Sequence, residues 1–264
     1  MRRSRTILAA AVLIAAALPA QAEPQRVVSM NLCSDQLAMM LAGPGQLISV
    51  SSLAQDPRLS PMAQEAAAYR PNSGRAEEIY LMRPDLVIAG TYTPPATVAM
   101  LRRLGIRVET PPPSEDFDAI RADIIRMGDW LGRRDAARDL LARFDADLAA
   151  ARSPRGRGRA ALYYANGFTS GSETLAGAIL DAAGLGNIAS DYGIAATTPL
   201  PLELLVMARP DRLITGAKWP GQSRGEAILD HPALAAASPA RAQVTDLHWT
   251  CGTPFVTRAI RSLR

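Results

Sequence analysis

The chain has 264 residues, 48% of them hydrophobic, with 29 basic and 25 acidic side chains, two histidines and two cysteines. That apolar fraction supports a folded core and is too high for a disordered chain. No basic block with interleaved aromatics is present to bind nucleic acid, and two cysteines allow at most one disulfide rather than a disulfide-stapled scaffold.

The first 22 residues, MRRSRTILAAAVLIAAALPAQA, set Arg2, Arg3 and Arg5 ahead of an apolar run from Ile7 to Leu18 and end on Ala20-Gln21-Ala22. Charged head, apolar middle and small residues at the cut are the order of a secretory signal peptide. The run is shorter than the roughly 20 residues that cross a bilayer. A soluble, periplasmic mature chain is therefore expected, and Ala22 in place of a cysteine argues against a lipid anchor. Losing the signal removes three arginines and no acid, which lowers the formal charge from +4 to +1.

RVVSMN predicts a first strand, and CSDQLAMMLAG a helix capped by Ser34 or Asp35 with Leu37, Met40 and Leu41 on its apolar face. QLISVSS reads as a second strand. RAEEIYLMRPDLVIAG reads as a helix broken at Arg83-Pro84, then a buried strand from Asp85 to Ala89. PATVAMLRRLGIRVET repeats helix, Gly105 and strand. An amphipathic helix then carries Phe117, Ile120, Ile124, Met127 and Leu131 at helical spacing up to Gly132. A second carries Ala137, Leu140, Leu141, Phe144 and Leu148; both stripes read as core. SPRGRGR at 153–159 is the clearest break in composition, and after it the alternation restarts: strand AALYYAN, a helix around Leu175, Ile179 and Leu180, helix and strand in PLELLVMARPDRLITG, a last strand in SPARAQVTDLHW and a final helix PFVTRAIRSL.

Alternation of this kind predicts parallel sheets with crossover helices. AEEIYLMRPDLVIAG and PLELLVMARPDRLITG echo each other, sharing Glu, an apolar run, Arg-Pro-Asp, an apolar strand and Gly. The expected fold is α/β, two Rossmann-like lobes related by an approximate repeat: a signal peptide over 1–22, a first lobe over 23–133, a linking helix over 134–154 and a second lobe over 155–264. Ligands of parallel sheets sit beyond the carboxyl ends of the strands. The loops there, SMNLCS, AGTYTPP, ANGFTSG, TGAKWPG and LHWTCGTP, hold much of the chain's tyrosine, tryptophan, cysteine and asparagine. That distribution favours a ligand cleft between lobes.

In this order and behind a signal peptide, RVVSMNLCSDQLAMMLAG, GRAEEIYLMRPDLVIAG, NGFTSGSETLAGAILDAAGLGN and PLPLELLVMARPDRLITG resemble the periplasmic substrate-binding proteins of ABC importers for vitamin B12 and iron-siderophore complexes. The resemblance runs over essentially the whole mature chain. It implies two lobes joined by one long, rigid helix, no enzymatic activity and no resident cofactor. It further implies a monomer that captures a metal chelate of iron-siderophore or cobalamin type and delivers it to an inner-membrane ABC permease. Glu77 and Glu203 match the family's one docking glutamate per lobe. Phe168, in FTSG, and Trp249 match cleft-loop positions. Tyr92, just past a strand, Trp219, in TGAKWPG, and His248, beside Trp249, are further candidate ligand contacts, with Asn31, Asn166 and Thr169 as polar groups that orient the ligand. Two departures matter. RPNSGRAEE and AATTPLPLE carry no aromatic where the vitamin B12 binder has a tryptophan before its first docking glutamate, and the Tyr/Met/His arrangement of a haem binder is missing. Iron-siderophore, corrinoid and other metal chelates all remain open.

Cys33 and Cys251 follow the first strand of one lobe and the last strand of the other, so both fall at the cleft mouth. Three fates are open to them: a disulfide, the default in an oxidising compartment, free thiols contacting ligand, or inert packing. A disulfide needs Cα atoms within about 7 Å and would hold the cleft nearly shut. With His248 they could ligate a metal, but no CxxC or HxxxH spacing supports it. The rival class is a secreted thiol-dependent hydrolase pairing Cys33 or Cys251 with His248, oriented by Asp35 or Asp246; no G-x-S-x-G, HExxH or P-loop motif accompanies it.

Overall fold

A computed structural model describes residues 23–264 apart from 222, 239 and 245, and shows two α/β lobes. The expected signal peptide lies outside the described residues. The first lobe runs β1 (Val27–Ser29), α1 (Leu32–Leu41), β2 (Leu47–Ser51), α2 (Ala63–Ala66), β3 (Arg70–Asn72), α3 (Ala76–Leu81), β4 (Leu86–Ile88), α4 (Pro95–Arg103) and β5 (Arg107–Glu109). Its strands are parallel in the order β3-β2-β1-β4-β5. The chain builds outward from β1 on one side and then on the other, so the switch point lies between β1 and β4. Val27, Val28, Leu86, Val87 and Ile88 are fully buried because helices cover both faces, and so these strands read as unbroken apolar runs. The edge strand β3, Arg-Pro-Asn, buries only Asn72 and has no such signature.

Two long helices follow the first sheet in the chain, α5 (Phe117–Leu131) and α6 (Arg134–Ala151). The predicted stripes are buried as expected, except that Leu141 is only partly covered. Asp116 caps α5 by accepting the Ala119 amide, and Gly132 ends it in the left-handed region. At 18 residues α6 is about 27 Å long.

The second lobe runs β6 (Arg159–Tyr163), β7 (Phe168–Ser170), α7 (Leu175–Ala182), β8 (Gly186–Asn187), β9 (Thr197–Pro199), α8 (Leu202–Ala208), β10 (Arg212–Gly216), α9 (Pro232–Ala237), β11 (Ala240–Val244) and α10 (Val256–Ser262). Four strands form a parallel sheet in the order β11-β10-β6-β8. A departure from expectation is the small antiparallel pair β7–β9, which draws part of the ANGFTSG loop into a ladder.

The internal echo is structural. Arg83 and Arg209, each before Pro-Asp, both adopt the left-handed backbone that non-glycine residues rarely take, with φ of 50° and 44°. Asp85 accepts the amides of Gln25 and Arg26 at 2.7 and 3.0 Å, and Asp211 accepts that of Arg159 at 2.7 Å. The Arg26 guanidinium donates to the carbonyls of Met82 and Arg83 behind α3, and Arg159 donates to that of Ala208, the last residue of α8. Each lobe thus ties the start of its first strand to the end of its glutamate-bearing helix with the same pair of side chains, an aspartate and an arginine.

One apolar core runs through both lobes, from Val27, Leu37 and Ile120 past Phe144 to Leu162, Ile179 and Ile260. The opposite faces have separate cores, around Ile79 and Leu101 in the first lobe and around Leu205 and Leu213 in the second. The lobes are therefore fused along the α5–α6–α10 side.

Candidate functional site

The α1 cap is Asn31, not Ser34 or Asp35. Its Oδ1 accepts the amides of Cys33 and Ser34 at 3.0 and 3.4 Å, while Ser34 and Asp35 lie buried in the first turn. Gly90, after β4, makes room for this cap: a Cβ there would stand 2.4 Å from Asn31 Nδ2. The Cys33 position that follows is bonded to Cys251, the two Cα atoms 5.1 Å apart across 218 residues of sequence. The disulfide decides among the three fates and corrects the expectation of free thiols contacting ligand. It also removes the nucleophile from the hydrolase reading. Cys251 is moreover buried. Among the described residues no group of three or more His, Cys, Asp or Glu side chains is placed to hold a metal ion.

The staple does not close the cleft, because it sits where the lobes already share a core. Beside it Thr253 Oγ1 donates to Gln36 Oε1 at 3.0 Å, both side chains buried. Gly252 lies so close on the first lobe that a Cβ would fall 2.2 Å from that of Ser114.

Next to the staple a hollow of about 240 Å3 opens at the β1/β4 switch point. Asn31, Cys33, Gly90 and Tyr92 form one side of it, Pro111–Ser114 and the α5 residues Asp123, Met127 and Trp130 another, and Thr250 and Gly252 come from the second lobe. Burial pushes the Asp123 carboxyl up, while Ser114 and Arg126 hold it down. A second hollow, about 260 Å3, is lined by Tyr164, Ser170, Thr174, Leu175, Ala176, Trp249 and Thr250. Thr250 belongs to both, so first-lobe and second-lobe walls meet at that residue.

A third contact joins the lobes further along. The Arg58 guanidinium, from the loop after β2, lies 4.7 Å from the ring centroid of Trp219, from the loop after β10. Asp56 fixes it by accepting from the Arg58 amide and guanidinium. The same bonds hold the Asp56 carboxyl down to about 2.

The candidate residues divide accordingly. Asn31, Cys33 and Tyr92 come together in the first hollow, with Tyr92 87% exposed, and Trp249 lines the second. Phe168 is exposed at the head of β7 but lines neither hollow. Asn166 is exposed in a left-handed turn, and its amide donates to Gly225. Thr169 is a correction: β7 turns it inward, where it is fully buried and its hydroxyl donates to the Leu162 carbonyl. His248 is half-buried and stacks on Phe255, its pKa lowered by burial and then by Arg258. Asp35, cast as an orienting group, instead accepts the Ser51 amide and hydroxyl. Glu77 and Glu203 are both exposed, each the second residue of its helix. Sequence reasoning missed Arg58, Ser114, Trp130 and Thr250. Arg58 was within reach, since QDPRLSP follows a predicted strand as the other cleft loops do; Trp130 was hidden because it flanks a stripe that reads as core.

Strand-end loops of two lobes meeting at walled hollows define a two-lobed receptor for a small ligand. Residues 27–243 match the family model described as periplasmic binding protein, and the chain belongs to that family. It is 28% identical over 206 residues to the cobalamin-binding protein of Halobacterium salinarum, covering 76% of this chain and 56% of that one. The chain thus spans little more than half the length of the curated relatives it matches. Among solved structures it is similar to the periplasmic heme-binding protein RhuT from Roseiflexus sp. RS-1, at 27% identity and TM-score 0.72 over 90% of this chain and 96% of that one. It shares its fold with the vitamin B12 binding protein BtuF of Vibrio cholerae, at 20% identity and TM-score 0.66 over 91% and 95%.

Proposed function

We propose that this protein is the periplasmic substrate-binding component of an ABC importer. It captures a metal chelate of iron-siderophore or cobalamin type between its lobes and hands it to a membrane permease. The observation that carries this reading is the meeting of walls from both lobes at Thr250, flanked by Tyr92 and Trp249. Relatives named for cobalamin and heme binding support the ligand class. Apolar ligand surface covered by Tyr92 and Trp249 would contribute about 25 cal/mol per Å2, with Asn31 as an orienting polar group. The division into lobes over 23–133 and 155–264 with the linking helix between them is the frame for this mechanism. Glu77 and Glu203, equivalent in the two repeats, are the docking pair; paired carboxylates at fixed spacing steer encounter and set register more than they add affinity.

A thermal-shift series with cobalamin, ferric hydroxamate and catecholate siderophores, and haem tests the ligand class. One class should raise Tm in proportion to the logarithm of its concentration, since a thousandfold excess over Kd stabilises by about 4 kcal/mol. No shift from any saturating member of the series would remove metal chelates as the cargo. For the docking pair, Glu77→Arg with Glu203→Arg should leave that shift unchanged and abolish uptake in cells; uptake at the wild-type rate would refute it.

A further inference from the structure

The Cys33–Cys251 disulfide is chemically lopsided. Cys33 is half-buried, lines the first hollow and stands in the first turn of the ten-residue helix α1, where its amide is held by Asn31. Cys251 is only 3% exposed and packs within the continuous core. A thiolate arriving from solvent can reach only the first sulfur. A thiolate left at Cys33 would sit at the N-terminal end of α1, where the helix dipole favours negative charge. Apart from the main chain itself, the bond is the one covalent link between the lobes among the described residues. Without it, the lobes on this side are held by shared apolar packing and the Thr253–Gln36 hydrogen bond.

We infer that Cys33–Cys251 is a redox-addressable tether between the lobes, reduced through Cys33 by a dithiol reductant. In the first step a thiolate of the dithiol attacks Cys33 Sγ. The new bond is a mixed disulfide on Cys33; the Cys33–Cys251 bond breaks and Cys251 leaves with the electron pair and takes a proton. In the second step the other thiol of the reductant, as thiolate, attacks its own sulfur in that mixed disulfide. This frees Cys33 as the thiolate and leaves the reductant as a disulfide. Two electrons pass from dithiol to protein; of the dithiol's two protons one ends on Cys251 and the other passes to solvent. Reduction would free the Trp249–Thr253 loop from the first lobe and so loosen a wall shared by both hollows, making ligand retention depend on redox state. The inference does not rest on which ligand is carried.

The test uses the folded, oxidised full chain. It is treated with limiting glutathione, quenched in acid and mapped by mass spectrometry. The glutathione adduct should sit on Cys33 alone. After reduction with dithiothreitol at a temperature where the protein stays folded, hydrogen exchange should rise at 249–255 and remain unchanged in β6 and β10. In Cys251→Ser, Cys33 should be alkylated by iodoacetamide near neutral pH about tenfold faster than a free unperturbed thiol at the same pH. An adduct on Cys251, a bond that yields to neither thiol until the protein unfolds, or reduction with no change in exchange at 249–255 would each overturn the inference. The first and second readouts use the wild-type chain, so a variant that fails to fold does not blunt the test.

Discussion

Asp35 illustrates how a single buried carboxylate limits stability around the staple. It is fully buried in the first turn of α1, and one of its oxygens accepts the Ser51 amide and hydroxyl. The other oxygen faces the nearby Ser29 hydroxyl without the geometry of a full hydrogen bond. Burial raises its pKa to about 6, against the opposing pull of Ser29 and Ser51. A carboxyl whose pKa is higher folded than unfolded favours the native state in its protonated form. That contribution is complete below the unfolded value near 4 and is lost as pH rises through about 6. The span corresponds to about 3 kcal/mol. Asp35→Asn keeps an acceptor for Ser51, carries no charge, and adds a donor facing the Ser29 hydroxyl. Its Tm should exceed that of the wild type at pH 7 to 8, and the difference should shrink toward pH 4. An unchanged difference across that range would show that ionisation of Asp35 is not what costs stability.

At the scale of the elements, the repeated Arg-Pro-Asp corner explains how each lobe turns from helix to strand. Proline disfavours the right-handed helical region for the residue before it, so Arg83 and Arg209 leave the helix through the left-handed region. The carbonyls exposed at those ends are taken by Arg26 and Arg159, and the aspartate ties down the neighbouring strand. Asp85→Ala and Asp211→Ala should each cost about 1 kcal/mol, the worth of a surface-exposed backbone hydrogen bond, seen as similar drops in Tm. A loss in one lobe only would mean that the echo is not energetic. This corner was legible in the sequence, because Pro and Asp act locally and leave the same letters in both halves. Long apolar stripes and buried strands were legible for a similar reason: periodicity records which face is covered. The small β7–β9 sheet was not, since Phe-Thr-Ser pairs with Thr-Thr-Pro across an intervening helix and neither triplet has a pattern of its own. Thr169 was misplaced on that account. The Asn31 cap was also missed, as Ser34 and Asp35 are equally good capping residues and only the backbone shows where the helix starts. Within the site, the cleft loops were found by their place after strands, whereas the pairing of Cys33 with Cys251 rested on geometry that the letters do not contain.

At the scale of the whole molecule, two lobes with separate sheets would ordinarily open and unfold with some independence. Here they share one core along α5, α6 and α10, and the disulfide and the Arg58–Trp219 contact cross between them. The covalent link closes a loop of more than two hundred residues and so removes much conformational freedom from the unfolded chain, which is worth about 3–5 kcal/mol. In a protein of this size that corresponds to roughly 10 °C in Tm. The shared core acts differently: it couples the lobes in the native state, because unfolding either one exposes apolar surface of the other. Cys33→Ser with Cys251→Ser should therefore lower Tm by that order in calorimetry and still unfold in a single transition. Two resolved transitions in the double variant would show that the disulfide alone had been holding independent lobes together, and that the core through α5 and α6 couples them only weakly.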